Sequence, residues 1–289
     1  MNRNPLALAL TLTAVAGCTL NRGDLRRDAL VPRIGGGGQV IEPKRVALQV
    51  AILSRPIRDD AINGAVWGVA DEQMIPPETR RMLEANGLRV GLISGELPTE
   101  VEKVLQAPAP HKVEPAHFDF PDGGFALVSV CESTPQASLL LSREGRAFGK
   151  DYADASGWLR VTAGFEGAHD VTLRLVPEIH HGPIQHSFGA LPNAGTLAPR
   201  QFMLKDGQQE ETLRELAATL TLGPGQVAVI GCRPEGARNL GAFLFTHPEP
   251  NSDRLLQKLV LIWASRSSLG LAGTPHRAPA DLEPVEPPK

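Results

Sequence analysis

Apolar residues in this chain come in short runs, and glycine or proline closes most of them. Arg45–Leu53, Gly124–Cys131, Val171–Val176, Gln226–Gly231 and Gln257–Ala264 each hold six to nine residues rich in valine, leucine and isoleucine. Runs of that length make strands sooner than helices. With 29 glycines and 25 prolines among 289 residues, turns to join them are abundant. No apolar stretch reaches the roughly 18 residues of a membrane-spanning helix. The expected fold is therefore α+β and mostly β, with a small N-terminal α/β unit ahead of a β-sandwich-like domain. Lys and Arg total 29 against 32 Asp and Glu, a net charge of −3. That balance leaves no basic face for a nucleic acid, and none is expected as a partner.

The first residues are a targeting signal. Arg3 and the amino terminus supply positive charge, and Leu6 to Gly17 is an apolar run broken by Thr11 and Thr13. This is the build of a secretory signal peptide, 1–17. Val15-Ala16-Gly17-Cys18 resembles a bacterial lipobox, in which the cysteine thiol is acylated with diacylglycerol and the chain is cut just before it. The competing reading, cleavage after Ala16 with Cys18 left free, accounts less well for a small-residue tripeptide followed at once by a lone cysteine. Cys18 is thus the expected lipid attachment and membrane contact. Thr19 stands where many inner-membrane lipoproteins carry aspartate, which favours the outer membrane and its periplasmic face.

Residues 18–44 read as a flexible tether. They contain Arg22, Arg26, Arg27 and Arg33, the run Gly35 to Gly38, and Pro43. Such a composition cannot bury enough apolar area to order itself. No Gly-Lys-Ser/Thr follows the glycines, so they are no phosphate loop. Residues 268–289, with Pro275, Pro279, Pro284, Pro287 and Pro288, match them as a disordered tail.

Between these ends, 45–106 is expected to be the mixed α/β unit. Arg45 to Leu53 is a buried strand, and Asp59 or Asp60 caps a short helix to about Val69. Pro76-Pro77-Glu78 opens a helix that Gly87 ends. Leu88 to Ile93 is a strand, and Thr99 caps a helix to Gln106. Residues 107–117 read as a linker. From 118 to 267 short strands are expected: Gly124–Cys131, Gln136–Ser142, Trp158–Ala163, Val171–Val176, Gln226–Gly231, Leu240–Phe245 and Gln257–Ala264, with a turn at Arg143-Glu144-Gly145. Residues 213–222 fit a helix or a strand. Gly223-Pro224-Gly225 before Gln226–Gly231 suggests a hairpin and favours the strand.

Val171-Thr-Leu-Arg-Leu-Val-Pro177 with Glu178-Ile179, Thr219-Leu-Thr-Leu-Gly-Pro-Gly-Gln226 with Val227 to Gly231, Asn239-Leu-Gly-Ala-Phe-Leu-Phe245, and Gln257-Lys-Leu-Val-Leu-Ile-Trp263 follow one another in a familiar order. Together they resemble the β-domain of secretins, the outer-membrane channel subunits of bacterial secretion and pilus systems, over about 171–266. The resemblance implies a secretin-type β-domain and partners in an envelope or secretion system. Departures separate the chain from a channel. Cys232 stands where secretins usually repeat glycine, Arg233 to Arg238 is a short approach, and the ring-building repeats are absent unless 45–106 is a degenerate copy. Residues 182–212, with Gly189, Pro192, Gly195, Pro199 and Gly207, are not expected to form the paired strands of a pore.

Catalytic chemistry is thinly represented. His180, His181 and His186 are the densest group of ligand-type side chains, with Glu178 on the face of His180. Adjacent histidines on a strand point opposite ways, and a zinc centre needs three protein ligands. No catalytic, cofactor or metal site is assigned. A periplasmic metal-dependent hydrolase on His180, His181 and His186 is the alternative to a structural or interaction role in an envelope assembly, not itself a pore. Cys131 and Cys232 fit either a disulfide in an oxidising compartment or two small buried hydrophobes. Asp71-Glu72 reads as an exposed loop, and Asp119 with Asp122 is the other carboxylate pair. Ser129 and Ser133 lack a base at readable spacing, and Trp67, Trp158 and Trp263 read as core.

Overall fold

The computed structural model describes residues 44–107, 113–190, 202–236 and 238–267, without the side chains of 186–190 and 202–206. The signal 1–17, Cys18, the tether to residue 43 and the tail 268–289 lie outside the described residues. The architecture is mostly β, as expected, with two antiparallel sheets and few helices.

In chain order the elements begin with β1 (Arg45–Pro56), a π-helical turn (Ala61–Val66), α1 (Trp67–Val69), α2 (Pro77–Ala85), β2 (Leu88–Ile93) and α3 (Thr99–Leu105). There follow β3 (Ala116–Pro121), β4 (Phe125–Arg143), β5 (Arg146–Glu166), β6 (Asp170–Ala190), β7 (Phe202–Thr212) and β8 (Ala218–Leu222). The chain closes with β9 (Val227–Cys232), α4 (Leu240–Phe245), β10 (Thr246–Pro248) and β11 (Leu255–Ser267).

The first sheet runs β2-β9-β11-β1-β3, with β10 also on β11. Its central strands are apolar on both faces because both faces are covered. Val46, Leu48, Val50, Ala228, Ile230, Val260 and Ile262 pack toward the second sheet. Ala51, Leu53, Val227, Val229, Leu259 and Leu261 pack the other way, with Ile62, Val66, Trp67 and Val101 from the helical side. Three layers result: helices, first sheet, second sheet. Leu259, Leu261 and Trp263 share one face, as their spacing predicts.

The second sheet runs β4-β5-β6-β7, with β8 also on β6. Glu144 and Gly145, at φ 50° and 75°, turn β4 into β5 at the expected place. Gly87, at φ 76°, ends α2 as expected.

The structure departs from the sequence expectations in six places. β1 and β2 share a sheet with β9 and β11, so strands of 45–106 and of 118–267 interleave. The end of the 107–117 stretch enters β3, which pairs with β1. Residues 213–222 and 226–231 form no hairpin: β8 pairs with β6 and β9 with β2 and β11, so Gly223-Pro224-Gly225 carries the chain from one sheet to the other. Leu240–Phe245 is a helix, because Asn239 Oδ1 accepts the Ala242 amide at 2.7 Å as a cap and Leu240, Leu244 and Phe245 share its buried face. The two strands expected at 124–131 and 136–142 are one, β4, bent where its register shifts between Ser129 and Cys131 and again before Thr134.

The sixth departure concerns 182–212. β6 continues to Ala190 and pairs with β7 from Glu178↔Thr212 to Ala190↔Phe202. The chain breakers do not interrupt this ladder. Gly182 and Pro183 fall in a register shift between His181 and Gln185, while Gly189 and Gly207 sit opposite Met203 and Gln185. Pro192, Gly195 and Pro199 lie outside the described residues.

Asn86 fastens α2 to the second sheet. The residue is 1 % exposed. Its Nδ2 donates to the carbonyls of Met82 and Ser142, both at 2.9 Å, and its Oδ1 accepts the Ser142 amide at 2.8 Å. The side chain thus pairs with Ser142 as a neighbouring strand would. Asn86→Ala should cost about 2–3 kcal/mol, because it leaves buried backbone groups unpaired. Urea unfolding of the variant measures it, and a change within about 0.5 kcal/mol, ordinary for a surface site, contradicts the role.

Candidate functional site

The second sheet divides. β5 pairs with β6 from Glu166↔Asp170 to Ser156↔His180 and no further. Beyond that point β5 pairs only with β4, and β6 only with β7. Two hairpin arms leave one branch point. Gln208 Nε2 bridges them, donating to the Asp154 carbonyl at 2.7 Å and the Gly182 carbonyl at 2.8 Å.

The arms differ. Ala137, Leu139, Leu141 and Tyr152 of the β4–β5 arm belong to the core, with Leu83, Leu213 and Leu216. On the β6–β7 arm Pro183, Ile184 and Gln185 are exposed, Ile184 at 69 %. Register places Phe188 opposite Leu204 and His186 opposite Asp206. Among the described residues no strand pairs with the outer edge of β7.

A charged centre occupies the branch. Alternation along β6 turns Leu173, Leu175 and Ile179 to the core and Val176, Glu178 and His180 to the other face. Glu178 is fully buried there. Its carboxylate accepts from Arg160 Nε at 2.5 Å and Nη2 at 3.1 Å, and from Thr212 Oγ1 at 2.9 Å. His180 Nε2 lies 3.4 Å away. Burial alone would raise the Glu178 pKa; hydrogen bonds from Arg160, Thr212 and His180 and the Arg160 charge outweigh it and hold the carboxyl below its ordinary range. Arg160 lies over the Phe125 ring at 4.3 Å, and its Nη2 is 3.8 Å from Glu210. One guanidinium therefore ties β4, β5, β6 and β7 together.

A second centre braces the β4–β5 arm. Glu211 accepts from Lys150, from Tyr152 Oη at 3.0 Å and from Arg143 at 3.4 Å, and Arg143 also reaches Glu215 at 2.8 Å. Burial opposes ionisation of Glu211, but these partners hold its pKa low. Burial, then the Glu211 charge, raises the Tyr152 phenol.

His180 and His181 do not converge on one point. His180 stacks on Trp158, centroids 5.2 Å apart, while His181 meets the edge of Tyr152 at 5.1 Å on the opposite face. The His186 side chain lies outside the described residues. Glu178, His180 and Glu210 do bring three ligand-type atoms within 4.8 Å of one another. In that set Glu178 is already committed to Arg160 and Thr212. Arg160, Glu210 and Thr212 were not singled out from the sequence. For Arg160 the signal is the alternation of Trp158, Arg160 and Thr162, which gains meaning once β5 is known to lie against β6; Glu210 and Thr212 come to the site through the pairing of β7 with β6.

Other candidates resolve into structural roles. Cys131 and Cys232 are free thiols, the first half-buried in the bend of β4 and the second buried at the end of β9. Burial raises both, Cys232 to about 11. Asp71 caps a short 3₁₀ turn by accepting the Gln73 amide at 2.8 Å. Glu72 holds Arg89 in a two-pronged pair at 2.9 and 2.7 Å, and Arg89 lies over Trp67. Asp71-Glu72 is thus a structural pair rather than a free loop. Asp119 pairs with Arg45 at 2.9 Å, and Asp122 accepts the Phe165 amide at 2.8 Å. Trp67 is core, while Trp158 is half-buried against His180.

No protein-family model, curated protein or solved structure matches the chain.

The branch-point pair yields two expectations. Arg160→Met leaves a buried carboxylate without its counter-ion and should cost about 3–5 kcal/mol, much of it recovered in Arg160→Met with Glu178→Leu. Because the folded Glu178 carboxyl sits low, its stabilisation is present above the unfolded value of about 4.3 and lost as pH falls through the folded one. Glu178→Gln should therefore destabilise near neutrality and shrink the acid-side loss of stability below about pH 4.3. Urea midpoints from pH 3 to 7 read both effects; parallel curves for the two proteins contradict them.

Proposed function

We propose that this chain is a lipid-anchored protein of the bacterial cell envelope with a structural or interaction role in an envelope or secretion-type assembly, which it joins through the strands of its second sheet. The observation carrying this reading is the β6–β7 arm, whose outer edge has no partner among the described residues. An unpaired edge presents a row of backbone donors and acceptors, and strand addition is a common way for one protein to bind another. The lipobox-like Val15 to Cys18 supports the anchor, and 19–44 would be its spacer. Thr19 after the cysteine favours the periplasmic face of the outer membrane. The secretin-like order of segments over 171–266 supports the kind of assembly.

A single chain offers four strands in the sheet path β4-β5-β6-β7, below the eight of the smallest outer-membrane barrels. The exposed residues of the β4–β5 arm, among them Ser138, Leu140, Gly149, Asp151 and Ala153, make no apolar band for lipid. No described helix is long and apolar enough to cross a membrane. We therefore assign the chain alone no pore. The hydrolase reading has less support, since His180 and His181 stack on different faces.

Two measurements test this. Mature protein from native membranes should begin at an acylated Cys18 by intact mass, and Cys18→Ser should accumulate uncleaved; an unmodified thiol in the mature chain contradicts the anchor. A photo-crosslinking residue at Gln209 on β7 should capture an envelope partner in membranes, and one at Lys103 on α3 should not. Equal capture at both places, or ion conductance by the purified chain in a planar bilayer, contradicts the assigned role.

A further inference from the structure

The bend in β4 opens a cavity of about 700 Å³ between β4 and the segment α4–β10–β11, away from the branch point. Its wall contains a lysine where the fold would place an aliphatic residue. Alternation along β11 puts Lys258 on the face of Val260 and Ile262, which pack toward the second sheet. The register shift after Ser129 leaves Val130 out of the ladder, and the Val130 carbonyl accepts from Lys258 Nζ at 2.5 Å. No carboxylate lies within ion-pair distance of Lys258 among the described residues. An ammonium has three donors, and two remain. A half-buried cation without a counter-ion is costly, so such groups are ordinarily paired.

The surroundings add to the positive field. Arg238 also lines the cavity and has no ion-pair partner among the described residues. Glu132 is the lining carboxylate, so two cations face one anion. His247 accepts or donates at Ser54 Oγ, 3.2 Å away. Burial, then the Lys258 charge, lowers its pKa and keeps the ring neutral at pH 7. The lining thus carries one net positive charge. Leu139, Ala242 and Phe243 supply apolar wall beside it.

We propose that this cavity binds a small organic monoanion, a carboxylate with a short apolar body, anchored on the Lys258 ammonium. The carboxylate takes the two spare donors of Lys258, and its apolar part lies against Leu139 and Phe243. This role is independent of the β7 edge and of the anchor.

Cys131 lines the same cavity and reports its occupancy. In the full chain, alkylation by iodoacetamide is followed at Cys131 by peptide mass, with buried Cys232 as internal reference. Saturating octanoate should slow Cys131 labelling at least about tenfold, equivalent to about 1.4 kcal/mol, and octanol should not. Lys258→Met should abolish the protection, and Lys258→Arg should keep most of it. Equal protection by octanol and octanoate, or no protection at millimolar octanoate, overturns the proposal on the unaltered chain alone. Full protection retained in a folded Lys258→Met variant overturns the assignment to Lys258.

Discussion

Arg160 and Glu178 meet at the one place where four strands of the second sheet depend on each other. Removing a carboxylate wholly from water is expensive, and a single ion pair in the interior seldom repays it. Here the cost is offset by a two-pronged guanidinium contact, the Thr212 hydroxyl and the His180 ring. Arg160 and Thr212 come from neighbouring strands that must be in register for their contacts to form. An offset of one residue would turn Glu178 to the core face and Ile179 outward. The pair therefore stabilises less than it specifies: it fixes which strands meet and where the sheet divides.

What lies on either side of that point follows from burial. Below it, β6 is covered by Leu173, Leu175 and Ile179 packing on the first sheet, whose own strands are apolar on both faces. β1 and β11 pair along their whole length, from Arg45↔Ser267 to Pro56↔Leu256, so the first and last described strands close the fold on each other. Beyond the branch, the β4–β5 arm is held down by Tyr152, Leu139 and Leu141 in the core and by the Glu211 centre. The β6–β7 arm has exposed Pro183, Ile184 and Gln185 in the corresponding place. A sheet that secures one arm and leaves the other's edge unpaired is suited to receive a further strand.

The apolar strands were legible because burial on two faces writes itself into sequence. β1, β2, β9 and β11 fall where Arg45–Leu53, Leu88–Ile93, Gln226–Gly231 and Gln257–Ala264 place them. Turn chemistry at Glu144-Gly145 and the Pro77 to Gly87 helix were equally plain. Partner choice was not. Gly223-Pro224-Gly225 reads like a hairpin turn, yet its flanking strands join different sheets. Leu240–Phe245 is apolar at every position but Gly241, so periodicity cannot separate helix from strand; the Asn239 cap decides it. The long polar halves of β5, β6 and β7 carry no apolar run, because ladder pairing rather than burial makes them strands. For the same reason Glu178 and His180 could be noticed in sequence while Arg160, Glu210 and Thr212 could not: they sit beside Glu178 only through the pairing of β5 and β7 with β6.

The proposed role requires the branch point to separate a locked body from an arm whose edge is free to take a partner strand. Native-state hydrogen exchange resolved by segment tests it most directly, on the isolated chain and on the chain in native membranes. Amides of β1, β11 and β6 below His180 should exchange only through global unfolding in both settings. Amides of β7 should exchange through a smaller opening in the isolated chain and gain protection in membranes. Protection of β7 equal to that of β1 in the isolated chain, with no change in membranes, would contradict the account.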